Sequence, residues 1–302
     1  MYGMSKYLWL VLGLCLAQGV QAANEIKIVG SRTLEPFLQA WAEAYKKKAP
    51  NVGVTIATPG TSVAPKALLE GRADLGAMNR EMTHEETENF VRVHGYYPTF
   101  VTVAIEAVGV YAHPENPIQG LTFPQLESIY AADRGCGTPD RAELWGALGI
   151  GGAWKDQRIV AFGQDDKSPI ADFVKRSVLC RGNFAEDVVA TTHENIVNEV
   201  SKNKFALAYS NFPAKGPLKA VALKKGQGSF VAPSVQSVRD GSYKLQHFMY
   251  LYFTRPQGKS LDPRLTEFIK TGLSPEGQAH VEKAGYISLS SELIKRQLNK
   301  LQ

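Results

Sequence analysis

EIKIVGSRTLEPFLQAWAEAYKKK, residues 25–48, begins as a short strand and ends as a helix. Ile26 and Ile28 alternate with polar neighbours, and Phe37, Trp41 and Tyr45 then recur every four residues, the spacing of one helix face. Gly30, Ser31, Arg32 and Thr33 join the two. A helix start needs a capping oxygen, and Ser31 or Thr33 can supply it. It does not need Arg32, because a cation at a helix N-terminus opposes the dipole. The turn is therefore either a plain cap or a cap that also holds an anion.

The same grammar recurs outward from this stretch. VGVTIA (52–57) reads as a second strand, SVAPKALLEG (62–71) as a helix starting at Ser62, and ADLGAM (73–78) as a buried strand. FVTVAIEAVGVYA (100–112) is a long β-rich run. RIVAFG (158–163) followed by SPIADFVKRSVL (168–179) repeats strand, polar turn, helix. KFALAYSNF (204–212) and FMYLYFT (248–254) read as strands, and LDPRLTEFIKTGL (261–273) and SPEGQAHVEKAG (274–285) as capped helices. Alternating strands and helices predict an α/β fold with parallel strands covered by helices. GCGTPDRAELWGALGIGGAW (135–154) is Gly-rich and reads as irregular.

Composition bounds the function. The 302 residues suffice for one large domain or two ordinary ones, with 44% apolar and 21% charged residues. The net charge of +5 is spread along the chain without a basic run, so no nucleic-acid partner is expected. Lys6, the apolar stretch Tyr7 to Ala17, and the small residues Val20 and Ala22 have the layout of a secretory signal peptide cleaved after Ala22. Cys15 follows Leu14, which is too bulky for lipoprotein processing. Residues 1–22 are accordingly read as a signal peptide and the mature chain as periplasmic or secreted, without stable membrane insertion. Cys136 and Cys180 then remain, and an oxidising compartment favours a disulfide between them.

Three polar turns follow predicted strands: Ser31-Arg32-Thr33, Gly60-Thr61-Ser62, and Gln164 through Asp165, Asp166, Lys167 and Ser168. Asn79 and Arg80 end another strand. Ligands of open α/β sheets sit at the carboxyl ends of strands, where the free N–H groups of the next helix favour an anion. Hydroxyls add donors and arginine adds a fork. Each turn alone reads as an N-cap; together they suggest a convergent anion site.

Residues 28–83, 108–130, 235–253 and 268–289 together resemble the substrate-binding proteins of bacterial phosphate ABC transporters, a PstS-like group of the periplasmic binding protein type II superfamily. The resemblance rests on the GSRT turn before a Trp-bearing helix, the GTS turn, the AD-led strand ending in Asn79-Arg80, and NPIQGLTFPQL further on. It implies a two-lobed periplasmic-binding-protein-like (type II) fold with a ligand cleft: residues 24–105 and 215–302 as one lobe, 106–214 as the other. It implies that inorganic phosphate, or a related oxyanion, is clamped for delivery to an ABC permease by a monomer without cofactor, metal or enzymatic activity. The implied ligand set is Ser31, Arg32, Thr33, Gly60, Thr61, Ser62, Asn79, Arg80, Asp165, Asp166, Lys167 and Ser168. The fourth turn departs from the family pattern R-x-D-x-S-G-T. Gln164 or Gly163 stands at the Arg position, and Pro169 and Ile170 replace Gly and Thr, removing an N–H and a hydroxyl. Asp165 and Asp166 can either accept the proton of hydrogen phosphate or simply shape the turn.

Two alternatives remain at this stage: an oxyanion-binding or sensory module outside transport, and an extracellular phosphatase. The chain carries no H-E-x-x-H or G-x-S-x-G motif, and Lys66 lies four residues after Ser62 rather than three. His84, His94 and His113 are read as exposed loop residues.

Overall fold

The computed structural model describes residues 24–133, 135–137 and 140–302. The segment read as a signal peptide lies outside the described residues. In chain order the elements are β1 (Glu25–Gly30), α1 (Glu35–Lys48), β2 (Gly53–Ala57), α2 (Ala64–Leu69), β3 (Leu75–Met78), α3 (His84–His94), β4 (Thr99–Ala112), β5 (Gly120–Thr122) and α4 (Phe123–Tyr130). They continue with β6 (Val160–Gln164), α5 (Pro169–Ser177), β7 (Val189–Thr191), α6 (His193–Lys202), β8 (Ala206–Phe212), β9 (Lys219–Ala220) and β10 (Ala222–Lys224). The last are α7 (Val235–Arg239), β11 (Gln246–Phe253), α8 (Pro263–Leu273), α9 (Pro275–Lys283) and α10 (Ser291–Asn299). His84 and His94 thus begin and end α3 instead of lying in loops.

Two compact units result, each built from separated stretches of chain. The first comprises residues 24–102, 250–280 and 295–302, and the second 103–249 and 281–294. β4 and β11 each pass from one unit into the other. Residues 215–249 fall in the second unit.

In the first unit β1 pairs in parallel with β2 (Glu25 opposite Gly53) and with β3 (Ile28 opposite Leu75), while β11 runs antiparallel to β3. α1 covers the sheet because its apolar positions fall on one face; Phe37, Leu38, Trp41 and Tyr45 are all buried. Trp41 and Tyr45 meet Phe268 of α8 edge-on, with ring centroids 6.4 and 5.6 Å apart. The buried Trp41 indole donates to the Gly277 carbonyl at 2.8 Å. Gly272 allows this approach, since a Cβ there would run into the indole ring.

In the second unit β6 pairs in parallel with β7 and β8, and β4 runs antiparallel to β8 and β9. Cys136 and Cys180 form a disulfide, with Cα atoms 5.5 Å apart. Among its described residues the Gly-rich stretch contains two short 3-10 turns, at Trp145–Leu148 and Gly152–Trp154. Within each unit taken by itself, parallel strand ends and the starts of the following helices share an edge, which is the geometry an anion site needs.

Candidate functional site

Ser31 leads from β1 into a 3-10 turn, Arg32–Leu34, that runs on into α1. Its Oγ accepts the Thr33 N–H at 3.2 Å, and its own N–H donates to the Ala77 carbonyl of β3 at 2.8 Å. Gly30 sits at φ 150°, and a Cβ there would collide with the Ala77 carbonyl, so glycine is required for the close approach. The second turn is tied to the first, since Gly60 N–H donates to the Gly30 carbonyl at 2.9 Å. The Thr61 hydroxyl in turn donates to Asn79 Oδ1 at 2.7 Å. Three strand ends are thereby held as one cluster of the first unit, with Ser31, Thr33 and Asn79 buried and Thr61 half-buried.

The members of this cluster differ in what they leave unused. Thr33 Oγ1 is buried with no hydrogen-bond partner among the described residues. A buried hydroxyl without a partner is costly and calls for an explanation. With Asn79 Oδ1 taken by Thr61, the Asn79 amide nitrogen is left as a donor. Arg32 and Ser62 are exposed.

Arg80 reaches the same strand end, but its guanidinium is committed elsewhere. It grips Glu86 with both fork nitrogens, at 2.7 and 2.8 Å, and donates to the Glu81 carbonyl. Glu86 also closes a capping box with Thr83 at the start of α3. Burial raises the Glu86 carboxyl, but hydrogen bonds from Arg80 and from the Thr83 N–H outweigh it and hold the carboxyl below its ordinary range. Two tyrosines of β11 brace the loop that follows: Tyr252 Oη accepts from Met82 N–H at 3.1 Å, and Tyr250 donates to Glu81 at 3.1 Å. Burial pushes the Tyr252 phenol up to about 12.

The fourth turn, in the second unit, is consumed by its own folding. Asp165 accepts the Lys167 N–H at 2.9 Å on its side chain and the Ser168 N–H at 2.8 Å on its carbonyl. Asp166 pairs with Lys175 at 2.6 Å. Ser168 caps α5 by accepting the Ala171 N–H at 3.0 Å, and Pro169 occupies the first helical position. Asp165, Asp166 and Ser168 thus shape the turn.

Four residues at the strand ends of the second unit escaped the sequence reading as a group. The Gln164 amide donates to Ser210 Oγ at 3.1 Å and to Asn211 Oδ1, and His193 Nδ1 contacts Ser210 Oγ at 2.7 Å. Gln164 ends β6, Ser210 and Asn211 lie near the end of β8, and His193 opens α6. The visible signal was small: two polar residues closing the apolar run of KFALAYSNF, and Thr192 as a helix cap before His193. Two of the other histidines are engaged elsewhere. His84 pairs with Glu88 on the surface, and His94 packs on Phe90 with ring centroids 4.4 Å apart. Among the described residues no His, Cys, Asp or Glu group of three is placed to hold a metal.

The PBP superfamily domain matches residues 17–276 of this sequence. The phosphate-binding protein PstS of Pseudomonas aeruginosa is 37% identical over 288 residues, spanning 94% of this chain and 88% of that protein. The chain belongs to the PstS family of the PBP superfamily. A crystal structure of a possible phosphate binding protein from Planctomyces limnophilus superposes with a TM-score of 0.73 at 28% identity, over 92% of this chain and 97% of that one. PstS from Borrelia burgdorferi gives the same TM-score, 0.73, at 21% identity over 89% and 100%, a likeness of fold alone. The expected two-lobed α/β fold of type II periplasmic binding proteins is therefore that of this PstS-family member. Among the described residues no helix is long and apolar enough to cross a membrane.

Proposed function

We infer that this chain is an extracytoplasmic solute-binding protein that clamps inorganic phosphate, or a related oxyanion, for delivery to an ABC permease. The observation that carries the reading is Thr33: a buried hydroxyl without a partner among the described residues, in the 3-10 turn that leads into α1, inside a cluster of three strand ends. An oxyanion at that turn satisfies the hydroxyl and meets the Asn79 amide. The PstS relative, named as a phosphate-binding protein, agrees with this choice of anion. Binding without chemical conversion fits the cluster, which offers donors and no nucleophile–base pair. A periplasmic or secreted location follows from the apolar leader with its small residues before position 23.

In this reading Ser31, Thr33, Gly60, Thr61 and Asn79 hold the anion, Arg32 and Ser62 approach from the exposed side, and Arg80 braces the strand end through Glu86. Asp165, Asp166, Lys167 and Ser168 set the shape of the fourth turn. A melting-temperature screen with phosphate, sulfate, phosphonates and sugar phosphates tests it. A ligand present at a hundredfold its Kd adds about 2.7 kcal/mol of stability by mass action. A rise with phosphate larger than with sulfate at equal ionic strength is expected. No shift with any of these anions overturns the reading.

A further inference from the structure

The second unit holds a cavity of about 570 Å³ whose lining includes His193, Glu194, Val197, Asn211, Lys215 and Ala284. All of its lining residues belong to that unit, in the stretches 103–249 and 281–294. A volume of this size lies in the range of pockets that take small organic molecules, about 300–1,000 Å³. Two of the lining side chains, Glu194 and Lys215, carry opposite charges and are exposed. Neither forms an ion pair among the described residues, with each other or with a third group. The Glu194 carboxyl is held below its ordinary range by its own backbone N–H and by the Thr192 side chain, so it is an anion at neutral pH.

The neutral polar groups of the lining are donors. The fully buried Ser210 hydroxyl accepts from the Gln164 amide at 3.1 Å and lies 2.7 Å from His193 Nδ1. A buried O–H needs an acceptor, and among the described residues His193 Nδ1 is the one it reaches, which puts the imidazole hydrogen on Nε2. Asn211 Oδ1 is taken by Gln164, which leaves the Asn211 amide nitrogen as a donor. His193, Asn211 and Lys215 thus offer N–H groups, and Glu194 offers a carboxylate. A simple anion would suit the three donors but meet the like charge of Glu194, and a simple cation would meet Lys215. A ligand carrying both charges satisfies both side chains, and Val197 and Ala284 give its carbon skeleton an apolar contact.

We propose that this cavity binds a small zwitterion, an α-amino acid with a short apolar side chain, its carboxylate on His193, Asn211 and Lys215 and its ammonium on Glu194. The site lies within the second unit and does not rest on the oxyanion reading above. Calorimetry on the full mature chain tests it with three probes of one carbon skeleton: L-valine, isovalerate, which lacks the ammonium, and isobutylamine, which lacks the carboxylate. L-Valine should bind with a Kd of about 1 mM or tighter, and each analogue at least about tenfold more weakly. Glu194→Gln should weaken L-valine by about tenfold while leaving isovalerate unchanged or tighter, and Lys215→Ala should weaken L-valine and isovalerate alike. Both changes are at exposed side chains, and an unchanged melting temperature shows that the variants fold. No binding of L-valine to wild type overturns the inference. So does isovalerate binding as tightly as L-valine, or L-valine binding Glu194→Gln as tightly as wild type. Displacement of L-valine by inorganic phosphate would make the cavity an anion site and overturns it as well. The melting-temperature screen with phosphate decides the oxyanion reading separately, whatever L-valine does.

Discussion

Thr33 and Arg32 are neighbours in sequence with opposite circumstances. Thr33 is buried with a hydroxyl that has no partner among the described residues, and Arg32 is exposed. Replacing Thr33 by Val keeps the branched shape and removes the orphan oxygen. Because a buried polar atom without a partner is a cost in the ligand-free protein, Thr33→Val should leave thermal stability equal or slightly higher. Phosphate affinity should fall by about 0.5–1.5 kcal/mol, the worth of one hydrogen bond, as read by calorimetry. A stability loss with unchanged affinity would mean that the hydroxyl serves the fold. For Arg32 the helix dipole opposes a cation, and in the proposed reading an anion in the turn offsets that cost. Arg32→Ala should weaken binding by about 1.5–3 kcal/mol, the scale of a charge-assisted hydrogen bond, with no change in the melting temperature without ligand. Affinity within about twofold of wild type would reduce Arg32 to a solvent-facing side chain.

At the scale of elements, the strand end of β3 and the start of α3 are joined by one carboxylate. Glu86 takes both nitrogens of the Arg80 fork and closes the capping box with Thr83, and both groups are largely shielded, with side chains 23% and 21% exposed. Its folded pKa lies below the ordinary value near 4.5, so the folded state binds its proton less readily than the unfolded chain. The stability this confers is fully present above the unfolded pKa and is lost as pH falls through the folded one. Glu86→Gln should therefore cost about 1–3 kcal/mol at neutral pH, and urea melts of variant and wild type should converge as pH falls below the ordinary carboxylate range and through the lowered folded pKa. A gap that persists unchanged in acid would place the effect in packing and not in charge. The T-x-x-E pattern of MTHEET is a capping-box signature, but the sequence reading of His84 and His94 as loop residues missed α3; other helices and strands were legible from apolar periods of four and two. The partnership of Arg80 with Glu86 was not read, because the resemblance assigned that arginine to the ligand. The Gln164–Asn211 bond was out of reach for another reason: forty-seven residues separate the pair, and only the parallel register of β6 and β8 brings them together.

At the scale of the whole molecule, two units share the chain, and the covalent staple and the proposed anion cluster lie in different ones. Cys136 and Cys180 are both in the second unit, 44 residues apart in sequence; Ser31, Thr33, Thr61 and Asn79 are in the first. The Cys136 N–H also donates to the buried Glu127 carboxylate at 2.7 Å, so the bond anchors the irregular stretch against α4. Cross-linking a loop of this length raises stability by about 4 kcal/mol in the chain-entropy model. Non-reducing mass spectrometry should find no free thiol, and the Cys136→Ser, Cys180→Ser double variant should melt well below wild type. Because the staple is remote in sequence from the anion cluster, phosphate affinity of the folded variant should stay within about twofold. The ligand then supplies a second, independent contribution. Phosphate at a hundredfold its Kd returns about 2.7 kcal/mol, so it should recover much, but not all, of the stability lost with the bond. Full recovery at that concentration would mean that the disulfide contributes less than the loop-closure estimate. A variant that keeps the wild-type melting temperature without ligand would show that the second unit is held by its core alone.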